Sequence, residues 1–242
     1  MITNWLGHWG RKLFGFTLVE LLITISIIVI LAGLLLPSLQ HAKERTKGIA
    51  CSNNLKQIGL TQSMYSNDFN DWIVPGRDAD AIFAFELLSG TRRRSYMSQT
   101  QTPSYGLKYY GDELTKGSFV CPMETTKFGR DYNVLFGFTH YGYNTWLCGD
   151  SCSTATTNYN HHKLSNITNP SVTIFSGDTE ALNSSHIIAM GRLSYRHGGV
   201  NPPNMGSLVY GTGRSNIVYL DGHVSNVRGQ TGTSELEKGF SY

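Results

Sequence analysis

The chain has 242 residues, 40% of them hydrophobic, with 20 lysines and arginines against 17 aspartates and glutamates for a formal charge of +3. That length holds one sizeable domain beyond a short N-terminal segment, or at most two small ones. Residues 68–242 carry 14 basic and 15 acidic side chains, a net of −1, which excludes a positive field for nucleic acid or acidic lipid.

Residues 1–15 contain Arg11 and Lys12, and the apolar residues Trp5, Leu6 and Trp9 do not make them a membrane span of their own. Behind them, Phe16 to Leu36 is 21 residues long, and Glu20 is its single charged side chain. As a helix this run measures roughly 31 Å, about the thickness of a bilayer core. Its C-terminal flank, Pro37-Ser38-Leu39-Gln40-His41, is a poor site for a secretory signal peptidase, whereas Gly15 stands directly before the run. Glu20 is the anomaly, because a carboxylate at membrane depth is costly unless paired. A cut after Gly15 would free an amine on Phe16, four residues from Glu20. That amine in one copy could pair with Glu20 of a neighbour as helices pack, fixing their stagger more than adding net stability. Charge counting leaves the orientation undecided, since Lys43, Arg45 and Lys47 balance Arg11 and Lys12 across the span.

Gly15-Phe16-Thr17-Leu18-Val19-Glu20 followed by an apolar helix closely resembles the N-terminus of type IV prepilins and type II secretion pseudopilins. The resemblance implies cleavage between Gly15 and Phe16 by a prepilin peptidase, methylation of the new Phe16 amine, and an assembly role for Glu20. It also implies a cytoplasmic leader, a single-pass anchor in the inner membrane and an extracytoplasmic head, in a periplasmic fibre or at the cell surface. Expected partners are the peptidase, other pseudopilin subunits, an inner-membrane assembly platform and membrane lipid, with no nucleic acid. Pro37, at mature position 22, matches a proline found in many such pilins.

From Ser38 the helix is expected to continue to about Tyr65, kinked at Pro37 and weakened at Gly48 and Gly59. Cys51, Leu55, Ile58 and Tyr65 recur on one helical face, with Lys47, Asn53, Lys56 and Gln57 between them. The stretch Cys51-Ser52-Asn53-Asn54-Leu55-Lys56-Gln57-Ile58-Gly59 resembles a bacterial pseudopilin-like family that ends in a His and an Asp-Gly pair. Phe119-Val120-Cys121-Pro122 and Tyr141-Gly142-Tyr143-Asn144 resemble its internal landmarks. The organisation expected is a leader over 1–15, a transmembrane and assembly helix over 16–37, its amphipathic continuation over 38–67, and a globular head over 68–242.

Asn67-Asp68-Phe69-Asn70-Asp71 is expected to end the helix. In the head, Ser171–Phe175, Ile187–Met190, Asn216–Leu220 and His223–Val227 read as strands. Asp221-Gly222 between the last two predicts a two-residue hairpin with positive φ at both turn positions. One long helix followed by strands makes the class α+β, with a mostly antiparallel sheet packed on the amphipathic half of the helix.

Four cysteines, Cys51, Cys121, Cys148 and Cys152, suit disulfides in an exported domain and allow three pairings. Cys148 and Cys152 could close a short loop, leaving Cys51 to pair with Cys121 and staple helix to head; free buried thiols are the alternative. His197, Asp221, Gly222 and His223 form a polar set, with 23 residues between His197 and Asp221, more than in the resembling family. Either they are a metal or catalytic group, or Asp221 is a turn residue and His197 hydrogen-bonds across adjacent strands; zinc would need further ligands. Calcium is carried forward for Asn67-Asp68-Asn70-Asp71 and for Asp78-Asp80, although neither has the spacing of a dedicated calcium loop and turn chemistry explains both. Arg92-Arg93-Arg94 reads as a solvated loop.

No Gly-x-Ser-x-Gly elbow and no Gly-x-x-x-x-Gly-Lys-Ser/Thr loop occurs, and Gly211-Thr212-Gly213 is too short for a nucleotide. The reading is therefore a structural pseudopilin, not an enzyme, and needs no cofactor. The alternative is a tethered recognition module that never polymerises, in which some of the 13 tyrosines and four tryptophans line a glycan-binding face.

Overall fold

The computed structural model describes residues 15, 17–77, 83–90, 104–109, 117–128, 136–149, 161–180, 186–187, 193–198 and 213–228. The chain divides into two compact units, Met1–Lys43 and Glu44–Tyr242, and helix α1 (Leu18–Asp68) contributes to both.

In the first unit α1 presents its apolar side chains to the outside around its whole circumference. Leu18, Ile23, Ile28, Leu34 and Leu36 are all more than half exposed. This stretch is long and apolar enough to cross a membrane. Its hydroxyls need no outside partner: Thr24 Oγ1 donates to the Leu21 carbonyl at 2.8 Å and Ser26 Oγ to that of Leu22 at 2.7 Å. Such back-bonding keeps polar atoms satisfied where no water is present. The helix continues through Pro37, which has no amide to offer the carbonyl four residues earlier.

In the second unit the helix becomes one-sided. Cys51, Leu55 and Ile58 are fully buried and Tyr65 nearly so, while Asn53, Lys56 and Gln57 are exposed. Burying Leu55 and Ile58 contributes about 1.5–3 kcal/mol each. The buried face also carries Thr61, Gln62 and Ser66. Gln62 Oε1 accepts from the Val74 amide at 3.0 Å, and its amide nitrogen donates to Ser66 Oγ, which donates to the Trp72 carbonyl. These bonds fasten the strand-like segment after α1 back onto the helix. The helix ends where Asn70 and Asp71 take left-handed conformations, with φ of 49° and 70°.

Among the described residues the head has two short α-helices, α2 (Ala84–Ser89) and α3 (Thr145–Cys148), and five strands: β1 (Tyr141–Asn144), β2 (Ile174–Asp178), β3 (His186–Ile187), β4 (Arg214–Tyr219) and β5 (Val224–Arg228). They form one sheet in the order β3-β1-β2-β4-β5. Four strands, β1-β2-β4-β5, are antiparallel to their neighbours, and β3 pairs with β1 in parallel. The fold is α+β.

The residues of β1 and β2 are buried along their whole length, so they do not alternate inside and out. Both faces of the sheet are covered. Phe175 and Val218 join Leu55 and Ile58 in the core under α1, whereas Ile174 and Ile217 pack with Leu193 and Tyr195 on the opposite face.

Three expectations change in detail. The backbone from Asn169 first makes a turn, its carbonyl accepting from the Val172 and Thr173 amides, so the strand starts at Ile174 and runs on to Asp178. The run at Ile187–Met190 is a strand only over His186–Ile187, and residues 188–190 lie outside the described residues. The β4–β5 connection is a three-residue loop, Leu220-Asp221-Gly222. Gly222 donates to the Tyr219 carbonyl and Tyr219 to that of His223, both at 2.9 Å. Only Gly222, with φ of 84°, is left-handed. A tight turn followed by one left-handed glycine is the usual form of such a loop, and it asks nothing unusual of Asp221.

Candidate functional site

Thr17-x-x-Glu20 is the pattern of a capping box, in which Thr and Glu satisfy each other's amides at a helix start. The structure builds it: Glu20 Oε2 accepts from the Thr17 amide at 2.9 Å and from Thr17 Oγ1 at 2.8 Å, and the Glu20 amide donates to Thr17 Oγ1 at 3.2 Å. Thr17 and Glu20 stand three residues apart in the sequence, so this partner is legible there as well. Gly15 is exposed, with open space around it, and Phe16 lies outside the described residues. Gly15 is thus exposed shortly before the first turn of α1.

Cys51 on α1 and Cys121 in the head form a disulfide, their α-carbons 5.2 Å apart. Cys121 is held from its other side, its amide donating to His140 Nδ1 at 3.0 Å. Burial, with the charge of Arg196 adding to it, pushes the His140 pKa down to about 2, so the ring is neutral and acts as an acceptor. Phe128 stacks on it with ring centroids 4.3 Å apart.

Cys148 is a free thiol, which corrects the expected Cys148–Cys152 loop. The side chain is fully buried at the end of α3 in the core, and burial raises its pKa. Cys152 itself lies outside the described residues.

The expected cluster of His197 with Asp221, Gly222 and His223 is divided. His197 pairs through its backbone with Arg214 at the start of β4, whereas Asp221 lies beyond the end of β4. At about 3.3 Å per residue the two positions are on the order of 20 Å apart. Asp221 is a turn acid: its Oδ1 accepts from the His223 amide at 3.0 Å and lies 2.6 Å from His223 Nδ1. Those bonds lower its pKa against the opposing effect of desolvation. His197 has another partner altogether, Asp178, whose Oδ2 lies 2.9 Å from Nε2 and also accepts from the Asn216 amide at 2.8 Å. Nothing in the spacing of Asp178 and His197 signals this pair; the β2–β4 register creates it.

The acids at the end of α1 and just beyond it turn to separate donors. Asp68 Oδ2 accepts from the Tyr105 hydroxyl at 2.9 Å, and Asp71 Oδ2 from the Ser165 amide at 2.8 Å. Hydrogen bonds from Ser165 hold the Asp71 carboxyl below its ordinary range. Asp78, Asp80 and Arg92–Arg94 lie outside the described residues.

Comparison with known proteins agrees with the geometry at the N-terminus. Residues 11–36 match the family model of the prokaryotic N-terminal methylation motif. Over 62 residues the chain is 42% identical to the type IV wide pilus major component PilA4 of Thermus thermophilus, covering 26% of this chain and 47% of that protein. The chain thus spans about half the length of this relative. No solved structure matches the chain. The chain therefore carries a prokaryotic N-terminal methylation motif and is similar, over 62 residues, to a structural component of a type IV pilus.

Proposed function

We propose that this chain is cleaved after Gly15, methylated on Phe16, and assembled through α1 into a pseudopilus-type fibre of a type II secretion-like system. The observation that carries this reading is the methylation motif over residues 11–36, which runs into a helix whose apolar side chains are exposed on every side. Before assembly lipid covers that surface; in a fibre, other copies of α1 would replace the lipid. Glu20 would exchange its bonds with Thr17 for the Phe16 amine of a neighbour, neutralising both charges and setting the stagger. The partners are then a prepilin peptidase, further subunits and an inner-membrane assembly platform, with the head outside the cytoplasm.

A surface type IV pilus is the second destination, favoured by the identity to a wide-pilus component. The N-terminal mass of the protein from native membranes tests the shared step. A chain beginning at methylated Phe16 supports processing, and an intact leader in cells with an active peptidase overturns it. Deleting the chain then separates the destinations: retained cargo without loss of surface filaments supports the secretion fibre, and lost filaments with normal secretion overturns it in favour of the pilus.

A further inference from the structure

The disulfide lies beside two more soft or nitrogen donors. One ligand atom each from Cys51, Cys121 and His197 all lie within 4.8 Å of one another, and all three residues are buried. A turn closed by the Glu124 amide donating to the Cys121 carbonyl at 3.1 Å brings Met123 back to the same place. Its Sδ lies 3.1 Å from His197 Nδ1. Gly48, one helical turn before Cys51, faces the same place: a β-carbon there would be 3.8 Å from His197 Nδ1 and 3.9 Å from Met123 Sδ, both ordinary contacts.

The histidine is held as a metal-binding histidine is held. Asp178 is fully buried and accepts at His197 Nε2, and the ring turns its Nδ1 toward Met123. A carboxylate on the far nitrogen orients the ring and raises the basicity of the near one.

We propose that, with Cys51 and Cys121 as thiols, their two sulfurs, His197 Nδ1 and Met123 Sδ form a binding site for a monovalent copper ion. Two thiol protons leave to solvent as two copper–thiolate bonds form. A tetrahedral ion with bonds of about 2.3 Å spaces its ligands by about 3.7 Å, within the reach of this group. Two thiolates and a thioether are a soft set that selects copper(I), whereas structural zinc takes cysteine and histidine without methionine. The disulfide uses the same sulfurs, so the bond and the ion exclude each other. Either one ties α1 to the head.

The test uses the full-length chain in detergent micelles, reduced by a phosphine (itself oxidised to the phosphine oxide) and transferred anaerobically to buffer without reductant. Copper(I) is titrated in competition with a chromophoric copper(I) chelator. The expected result is one ion per chain, lost in the Cys51→Ser/Cys121→Ser variant although Cys148 and Cys152 remain. Met123→Leu, which keeps volume and apolarity, and His197→Gln should each weaken binding about tenfold or more. In parallel, copper(I) should slow alkylation of Cys51 and Cys121 in the reduced wild-type chain, read by peptide mass spectrometry, which needs no variant to fold. A reduced chain that takes no copper or gains no protection overturns the site. So does a Met123→Leu chain, with its disulfide shown to form normally, that binds within twofold of wild type.

Discussion

Gly59 of α1 and Val218 of β4 touch with no space for one added carbon: a β-carbon on Gly59 would stand 2.6 Å from Val218 Cγ2 and 3.3 Å from the Gly222 α-carbon. The β-branched valine cannot swing away, and the second neighbour is backbone. Helix and hairpin are further joined by Lys56 Nζ, which donates to the Gly222 carbonyl at 2.7 Å.

This contact separates two glycines that the helix pattern treats alike. Alanine gains about 1 kcal/mol over glycine inside a helix, while overpacking a filled site costs about 1–3 kcal/mol. Gly48→Ala meets only ordinary contacts and should raise the melting temperature. Gly59→Ala should lower it, and Gly59→Leu should lower it further. Thermal melts of the three variants check this; a Gly59→Ala chain more stable than wild type would contradict the packing described.

The Cys51–Cys121 disulfide joins residues 70 apart in sequence. On chain entropy alone a loop of that size contributes about 4 kcal/mol. The Cys51→Ser/Cys121→Ser chain should unfold at markedly lower denaturant, whereas Cys148→Ser should leave the disulfide-dependent shift in non-reducing gel mobility unchanged. Loss of that shift in the Cys148 variant would move the pairing elsewhere.

His140 makes the head acid-sensitive. Its pKa falls from the ordinary 6.5 to about 2 on folding, so the unfolded chain binds the proton first. The associated stability is fully present above about pH 6.5 and is lost as pH falls toward 2, at up to about 1.4 kcal/mol per pH unit. Replacing the ring with His140→Gln retains an acceptor for the Cys121 amide and should flatten this part of the stability–pH curve. An unchanged slope in urea melts between pH 6.5 and 4 would assign the acid sensitivity to other groups.

Glu20→Gln and Glu20→Ala separate two roles of one side chain. Gln at this position of a capping box still reaches the Thr17 amide but carries no charge, whereas Ala loses both. Both variants should be processed after Gly15. If the charge sets the register, both should fail to assemble, as read by crosslinking through cysteines placed along residues 25–35. Normal multimers from Glu20→Gln would mean that the carboxylate is needed only to start the helix.

Substituting a bulky residue for Gly15 should block processing, whereas Gly15→Ala should often still be cut. Open space around Gly15 means that the effect arises in the peptidase site and not in the fold. Immunoblots resolving precursor from mature chain decide it, and efficient cleavage of a Gly15→Phe chain would argue against the site.

What the sequence by itself determined are the features written in adjacent residues. The apolar run after Gly15 with its single charge at Glu20, the buried helical face at Cys51, Leu55, Ile58 and Tyr65, and the hairpin at Asp221-Gly222 all follow from local pattern, because periodicity and turn chemistry act over a few residues. Even there, whether the loop held two residues or three depended on how β4 and β5 came into register. Only the tertiary structure decided that Asp178, not Asp221, faces His197, that Cys148 points inward, and that Gly59 is a contact rather than a weak point. Those outcomes depend on residues far apart in the chain meeting across a sheet and a helix, and a shift of one residue in strand register would exchange every inward side chain for its outward neighbour.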